Sequence, residues 1–587
     1  MTPAEYLVSQ GILTEETVFS ALAEACGLPF LPDRGFRPQS VEAKCIALGE
    51  ESCGPVLIGV TRDQTIYAVA PPYDSFAEVL DLCRRRPDLA QWVRITTPAA
   101  LGFAVNHLNS PEGDLESRFP QFSARRRFSS GQIGWAASLI GGLVLGATVP
   151  LSLLLVAGAL VIAACSTLIG LARLASALAA GPGDLHFTLP AALLDRRVIW
   201  PRYTVLVPLF REAASVASLI AHLEALDYPR EKLQILLLVE PDDPETLKHL
   251  PKRLPPQMRV LRVPWGSPRT KPRALAHGLE QATGDLLTIY DAEDRPEPDQ
   301  LRQAALVFAL SPPTVGCLQA RLCADNAGES FFARHFALEY ACLFDQLLPW
   351  LHRHDWPIPL GGTSNHFRTE ALLASGAWDK FNVTEDADLG IRLSRRGYRS
   401  GVLASTTFEE APITWRAWRR QRARWHKGWI QTFFVHTRDL RGTFKDLGLA
   451  RLAVVLALIG GNMLVMALGP LCAILMSLYA LGVLDLPLLD ASWRGAFGWV
   501  CVASLVFCHA ASAVALLLAA RMRGLGVRLR DALTLPLYWL FNAQAFYQAV
   551  WEFARSPHGW NKTEHGVSRA RRPTMTASAH GITQPGE

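Results

Sequence analysis

An α/β domain with a largely parallel sheet, carried on membrane-spanning helices and preceded by a small soluble α/β domain, is the architecture the sequence predicts. Three observations lead there. Between residues 201 and 410, β-like runs at 204–208, 234–239 and 286–290 alternate with helical stretches such as 214–226, the pattern of parallel strands joined by helices. Residues 133–171 form a run of 39 without a charged side chain, and two further apolar stretches lie near 452–484 and 496–520. Half of the 587 residues are hydrophobic and the mean hydropathy is +0.16, high for a soluble body and low for a pure transporter.

Taken in order, residues 1–107 read as the small domain. Tyr6, Leu7, Ile12, Val18, Leu22 and Leu28 fall at helical spacing, and short β-like runs follow at 56–60 and 65–69. Residues 108–131 mix Pro, Gly, Ser and charge, which reads as a linker. One span needs about 20 apolar residues, so 132–172 reads as a transmembrane hairpin turning near 148–150. Arg125, Arg126 and Arg127 precede it and Arg173, Arg196 and Arg197 follow, placing both flanks in the cytoplasm.

A basic, Trp-rich segment at 411–450 follows the α/β domain. Residues 452–484 then cross once, with the part before Gly460 and Gly461 lying on the membrane surface, and 496–520 cross back. Arg521, Arg523, Arg528 and Arg530 hold the end of that crossing in the cytoplasm. Residues 531–553 are aromatic but carry Asn542, Gln544, Gln548 and Glu552, so they read as an interfacial helix, and 556–587 as a cytoplasmic tail. The expectation is four crossings, both termini cytoplasmic, and no cleavable signal peptide.

Net charge is +5 and the pI about 8.6, which loops beside anionic lipid produce without any nucleic acid. Eleven scattered cysteines with no CxxC pair exclude a disulfide framework or a cysteine zinc site.

Three polar constellations carry chemistry. Asp291, Glu293 and Asp294 follow the β-like run at 286–290, and period-2 geometry turns Asp291 and Glu293 the same way. By itself this is equally an acidic turn closing a strand. Thr384, Glu385 and Asp386 open a helix; Thr384 suits an N-cap and the acids suit the first turn, and taken alone that local role explains them best. Gln421, Arg424 and Trp425 sit at i, i+3 and i+4 on one helical face, which a basic membrane-surface helix would also provide.

In order, the VPLFRE run at 207–212, the acidic strand end, the TED triplet and the QxxRW pattern resemble family 2 glycosyltransferases with the GT-A fold. The likeness is to membrane polysaccharide synthases of the cellulose-synthase type, and the DAED, GGTSNHF and KTEHG strings most resemble the branch holding bacteriophage adsorption protein B and exopolysaccharide synthases. The resemblance covers about 203–430. It implies a GT-A domain inserted between transmembrane helices, and a role for each matching position. Glu212 and Glu240 would lie near the nucleotide's base and ribose, and Lys271 near its phosphates. Asp291, with Glu293 or Asp294, would hold Mg2+ or Mn2+ against the donor diphosphate, a hard cation on oxygen ligands. Asp386, with Glu385 beside it, would take the acceptor proton. Gln421, Arg424 and Trp425 would bind acceptor and diphosphate, with Gly361 and Gly362 on the acceptor-side loop. Lys562, Thr563 and His565 in WNKTEHG would form a gating loop.

The activity so implied is inverting, metal-dependent, processive extension of an exopolysaccharide from a nucleotide sugar, a UDP-sugar being favoured. The setting is a bacterial inner membrane with the catalytic domain cytoplasmic, and a partner or homodimer would assist export. A non-processive transferase acting on a lipid-linked acceptor is the other enzymatic reading; a degenerate transferase serving as a signalling scaffold is the non-enzymatic one. Residues 6–30 resemble the N-terminal domain of type II secretion assembly ATPases. Some of that class bind cyclic di-GMP, but Thr2, Pro3 and Ala4 occupy the positions of its RLG pattern and Ala25 that of its glutamine. That predicts a regulatory or docking module with weak or absent binding of that nucleotide.

Overall fold

The computed structural model describes residues 2–9, 12–32, 40–42, 56–61, 64–101, 114–145, 151–180, 200–483 and 491–559. The N-terminal domain begins with α1 (Pro3–Ser9) and α2 (Glu15–Cys26), the latter capped by Thr14 and ended by Gly27 at φ 65°. Strands β1 (Ser40–Glu42), β2 (Val56–Thr61) and β3 (Gln64–Val69) pair antiparallel, and β4 (Val93–Ile95) adds in parallel after α3 (Phe76–Arg85). Phe19, Leu22, Val79, Leu89, Val93 and Ile95 form the core between helices and sheet. Glu15 pairs with Arg202 at 2.9 Å, which docks this domain beside the start of the next one.

The expected linker is only partly one. Residues 114–129 are folded onto the following domain, starting with α4 (Leu115–Arg118) capped by Asp114. Two apolar helices follow, α5 (Ser130–Leu145) and α6 (Leu151–Ala179).

The large domain is an eight-stranded mixed sheet. Its members are β5 (Tyr203–Leu209), β6 (Leu233–Val239), β7 (Met258–Arg262), β8 (Leu286–Ile289), β9 (Arg295–Pro296), β10 (Val315–Ala324), β11 (Asn365–Arg368) and β12 (Arg399–Glu409), in the order β7-β6-β5-β8-β11-β10-β12-β9. Strands β5 to β8 run parallel, as does β10 with β12, while β11 runs antiparallel to both of its neighbours and β9 to β12. Helices α7 (Val216–Glu224), α8 (Lys271–Leu279), α9 (Gln300–Leu310), α10 (Phe331–Cys342) and α11 (Glu385–Arg395) pack around it. Both faces are covered, which is why β5 and β6 read as nearly unbroken apolar runs; Val205 and Leu206 both have no exposure although they face opposite ways.

A buried polar chain ties β5, β8, α9, β11 and β12 together. Tyr203 Oη lies 2.6 Å from His366 Nδ1, His366 Nε2 is 3.1 Å from Gln300 Oε1, and Tyr290 Oη donates to the same oxygen. Gln300 Nε2 in turn donates to Ser405 and Thr407. Burial pushes His366 down to about 3, so it serves as a neutral tie within the sheet.

Three helices among the described residues are long and apolar enough to cross a membrane: Leu154–Ala179, Leu440–Ala480 and Ala496–Met522. The four-crossing expectation also counts the stretch around α5, whose expected turn at 148–150 lies outside the described residues. After α12 (Trp415–His436), α13 runs over Leu440–Ala480 with its break at Gly448, φ 75°, rather than at Gly460 and Gly461. Those two glycines continue the helix in a π-turn, and Gly460 lets Phe433 pack close, 2.8 Å from where a Cβ would stand. Helix α14 (Ala491–Met522) packs on α6 at Gly170, where a Cβ would meet the Cys508 backbone at 3.1 Å. Helix α15 (Leu535–Arg555) buries Tyr538, Phe546, Ala549 and Phe553 and exposes Leu537, Leu540, Val550 and Trp551.

Candidate active site

A cleft of about 250 Å3 opens where β5, β6 and β8 end. That is far more than a one-water packing void, and strand C-termini are where open α/β sheets place ligands. Beyond β5 the chain turns at Arg211, φ 56°, whose N–H donates to the Asp243 carboxylate. The next N–H, of Glu212, donates to Thr246 Oγ1 at 2.9 Å. This fixes the turn that brings Glu212 to the cleft wall. Beyond β6, Glu240 accepts from Arg273 at 2.6 Å. Beyond β8, Asp291 and Glu293 reach the wall, but Asp294 does not. Asp294 is 1% exposed and accepts from the Asp291 N–H at 2.7 Å and from the Thr363 hydroxyl. Strand β8 has ended by then, so a local turn held by Asp294 orients Asp291 and Glu293, instead of strand alternation.

Lys271 starts α8 and lies among these acids. Its Nζ donates to Gly362 O at 2.7 Å and pairs with Asp291 Oδ1 at 2.5 Å. Burial works against this ammonium, but Asp291 and Glu385 outweigh it and hold its pKa above the ordinary lysine value. Gly361 and Gly362 occupy the opposite wall. Neither has a positive φ; what they provide is close approach. A Cβ on Gly362 would stand 3.2 Å from Asp386 Oδ2, and one on Gly361 would stand 3.1 Å from Phe344.

Glu385 and Asp386 open α11 with the helix N-terminus at the cleft. Thr384 stands at the N-cap position, yet its side chain makes no capping hydrogen bond. It packs against α12 instead: a Cβ on Gly428 would fall 2.1 Å from Thr384 Oγ1. Gly428 therefore sets how closely α12 approaches the acids. Gln421, Arg424 and Trp425 of α12 line the cleft together with Trp429. The buried Gln421 Oε1 has no hydrogen-bond partner among the described residues, as suits an atom that meets a ligand. Trp425 stacks on Tyr340 with ring centroids 6.3 Å apart and planes at 14°. Arg422, with no part in the expected motif, anchors the helix through Glu339 and Tyr538.

Glu409, Tyr340 and Arg269 also line the cleft and were not foreseen. The Glu409 and Glu410 pair at the end of β12 was the available signal. Lys562, Thr563 and His565 lie outside the described residues.

The cleft is crowded with acid. Burial, then Asp386, pushes Glu385 up to about 8; burial, then Glu293, pushes Glu409 up to about 8. Asp386 is also raised by burial, against the pull of Lys271 and Arg424. Glu293 is held well above the carboxylate range by burial, then by Asp291, Glu212 and Glu410. Such crowding suits a cation. Among the described residues, however, no three His, Cys, Asp or Glu side chains are grouped to hold a metal by themselves. Asp291 and Glu293 supply two oxygen donors, the number a Mg2+ or Mn2+ site uses when substrate phosphates complete the shell.

Residues 201–428 match the family described as "Glycosyltransferase like family 2", and this stretch is a glycosyltransferase domain of that family. Beta-monoglucosyldiacylglycerol synthase of Synechocystis sp. is 29% identical over 246 residues, covering 41% of this chain and 50% of the relative. Glucomannan 4-beta-mannosyltransferase 2 of Arabidopsis thaliana is 28% identical over 246 residues, covering 39% and 44%. The chain thus spans about half the length of these curated relatives. Among solved structures, the mannosyltransferase PcManGT from Pyrobaculum calidifontis, in complex with GDP-Man and Mn2+, is 20% identical with a TM-score of 0.38, covering 67% of this chain and 99% of its own.

Proposed function

We propose that this protein is a membrane-embedded glycosyltransferase that moves a sugar from a nucleotide-diphosphate donor to an acceptor hydroxyl, with inversion and with Mg2+ or Mn2+. The observation that carries the reading is one cleft lined by Asp291, Glu293, Lys271, Asp386, Gln421 and Arg424, which the fold gathers from four separate segments. Asp386 takes the proton from the acceptor hydroxyl as its oxygen bonds to the anomeric carbon. The bond from that carbon to the diphosphate oxygen breaks, and the nucleoside diphosphate leaves with the electron pair. Glu385 and Asp386 are both raised by burial, and as close neighbours they titrate as a pair. A bound divalent cation supplies charge neutralisation for the leaving diphosphate. Asp291 and Glu293 would hold it, and Lys271 and Arg424 add positive charge beside the phosphates. Glu212 and Glu240 lie on the nucleoside side, and Trp425 offers a ring face to a sugar.

The acceptor in this reading is a growing exopolysaccharide at a bacterial inner membrane, with the catalytic domain cytoplasmic. The stacked Trp425 and Tyr340 and the three apolar helices support it. A lipid acceptor is the second reading, supported by the relative named for a glucosyldiacylglycerol product and by the exposed apolar stripe of α15. Membranes holding the full chain, given UDP-glucose, UDP-N-acetylglucosamine or GDP-mannose, decide. Labelled sugar in an organic-extractable product supports the lipid acceptor, sugar in a high-mass water-soluble product supports the polysaccharide, and transfer to neither defeats both.

A further inference from the structure

The segment 114–125 follows the N-terminal domain in sequence and is built into the catalytic domain, against the loop that leads to Glu385 and Asp386. Asp379 is the meeting point. Its side chain is 1% exposed. It accepts from Ser123 Oγ at 3.2 Å, from the Ala124 N–H at 2.5 Å, and from the Phe381 N–H at 3.1 Å. Beside it, Lys380 pairs with Asp114 at 2.5 Å, and Arg118 donates to Leu373 O at 3.1 Å. Gly376, at φ 81°, is shaped to receive the segment: a Cβ there would stand 2.4 Å from Leu115 and 3.0 Å from Phe119.

The same segment grips both helices that frame the site. The Arg396 guanidinium of the α11 C-cap lies 4.9 Å from the Phe119 ring, and that of Arg395 in α11 lies 4.7 Å from Phe122. At the end of α12, Arg438 donates to Ser123 O at 2.8 Å, and Phe122 lies 6.4 Å from His436. His436 is bonded at 3.0 Å to Asp388, one turn along α11 from Glu385. The loop between Asp379 and Thr384 is held at every step. Phe381 O accepts from Gln431 at 3.0 Å and lies 2.9 Å from His558 Nδ1. The Val383 N–H donates to Gln431 at 3.0 Å, and Asn382 donates to Thr432 at 3.0 Å. Lys380 O accepts from Thr270, the residue before Lys271, at 2.9 Å.

We propose that residues 114–125 act as a positioning clamp for the reaction, in which Asp379, held by Ser123 and the Ala124 amide, fixes the loop that places Glu385 and Asp386 against the α12 face bearing Gln421, Arg424 and Trp425. The proposal rests on the reading of Asp386 as the proton acceptor. Asp379 touches no reacting group; it acts through the loop.

The test uses the full chain in membranes with Mn2+ and the three nucleotide sugars named above, following release of UDP or GDP. Ser123→Ala and Asp379→Asn should each lower kcat about tenfold or more, since a displacement on the order of 1 Å at a catalytic group costs up to about 100-fold. The KM for the nucleotide sugar should stay within about twofold, because the strand-end acids that hold the donor are anchored elsewhere. Ser123→Thr, which keeps a hydroxyl, should recover turnover. Wild-type kcat in both Ser123→Ala and Asp379→Asn overturns the clamp. So does a fall in kcat matched by an equal rise in KM and a lower unfolding temperature, which marks a general loss of folding. Asp386→Asn is run alongside: turnover by that variant overturns the proton-acceptor reading and the clamp with it, whereas a dead Asp386→Asn beside a wild-type-like Asp379→Asn defeats the clamp alone.

Discussion

Two acidic segments meet in the cleft, and they are held in opposite ways. The turn from Asp291 to Asp294 is closed by its own last residue, with Asp294 accepting from the Asp291 N–H three positions back, and has one distant tie, the Thr363 hydroxyl. The segment from Asp379 to Asp386 is anchored from afar, by Ser123 some 256 positions away, His558 177 away and Gln431 48 to 50 away. A self-anchored turn keeps its geometry as long as the strand before it forms. A loop held by three distant elements is as well placed as the packing of the whole domain allows. The donor side should therefore tolerate distant changes that the acceptor side does not.

The largest effect should come from the group that performs the chemistry. Asp386→Asn removes the proton acceptor with little change in shape and should cut turnover by about 100-fold to 10,000-fold while donor binding persists. Near-wild-type turnover in that variant would move the base elsewhere, with Glu385 the first place to look.

Next in size is the contrast inside the self-anchored turn. Glu293→Gln should raise the Mn2+ concentration needed for activity by about tenfold or more, as expected for a group that shares the cation with the diphosphate. Asp294→Asn should leave the Mn2+ requirement nearly unchanged and instead cost about 1–3 kcal/mol of stability, since a buried acceptor of two hydrogen bonds is lost or reversed. Metal titration of the two variants checks this; the opposite assignment would put Asp294, not Glu293, on the cation.

Two truncations then sharpen the distant anchoring. A chain starting at Ser129 lacks the clamp and should lose most turnover even where it inserts and folds. A chain starting at Asp114 lacks the N-terminal domain but keeps the clamp, and should retain transfer. Equal activity in the two would show that the clamp contributes nothing to turnover. A smaller effect is expected at Gly428→Ala, where the new methyl meets Thr384 and must push α12 from the loop. Overpacking of this kind costs about 1–3 kcal/mol, and kcat should fall more than donor affinity.

What was legible in the sequence follows the same division. The strand-end acids and the Gln421, Arg424 and Trp425 face follow from local pattern, Lys271 came only with the family resemblance, and the structure brings them to one cleft. The alternating pattern also announced the parallel core of the sheet. The antiparallel insertions β11 and β9 were not visible, because a four-residue and a two-residue strand carry no periodic signal of their own direction. Thr384 read as a helix cap because capping is the local use of a threonine there; its actual contact with Gly428 spans 44 positions. Residues 114–129 read as linker because Pro, Ser and charge are what a linker has. Nothing local marks Ser123 as the partner of a buried Asp379. Glu409 was missed for a related reason: an acid at a strand end gains meaning only when another strand end, with Glu293, is brought against it.

The central claim is that these acids hold a donor diphosphate through a divalent cation, and it is tested most directly by nucleoside diphosphate release. Membranes holding the full chain are given UDP-glucose, UDP-N-acetylglucosamine or GDP-mannose, stripped with EDTA and then resupplied with Mn2+. Release should occur with one of these donors, vanish with EDTA, return with Mn2+, and be absent at any Mn2+ concentration in Asp291→Ala. Release that persists through both EDTA and Asp291→Ala would contradict the account.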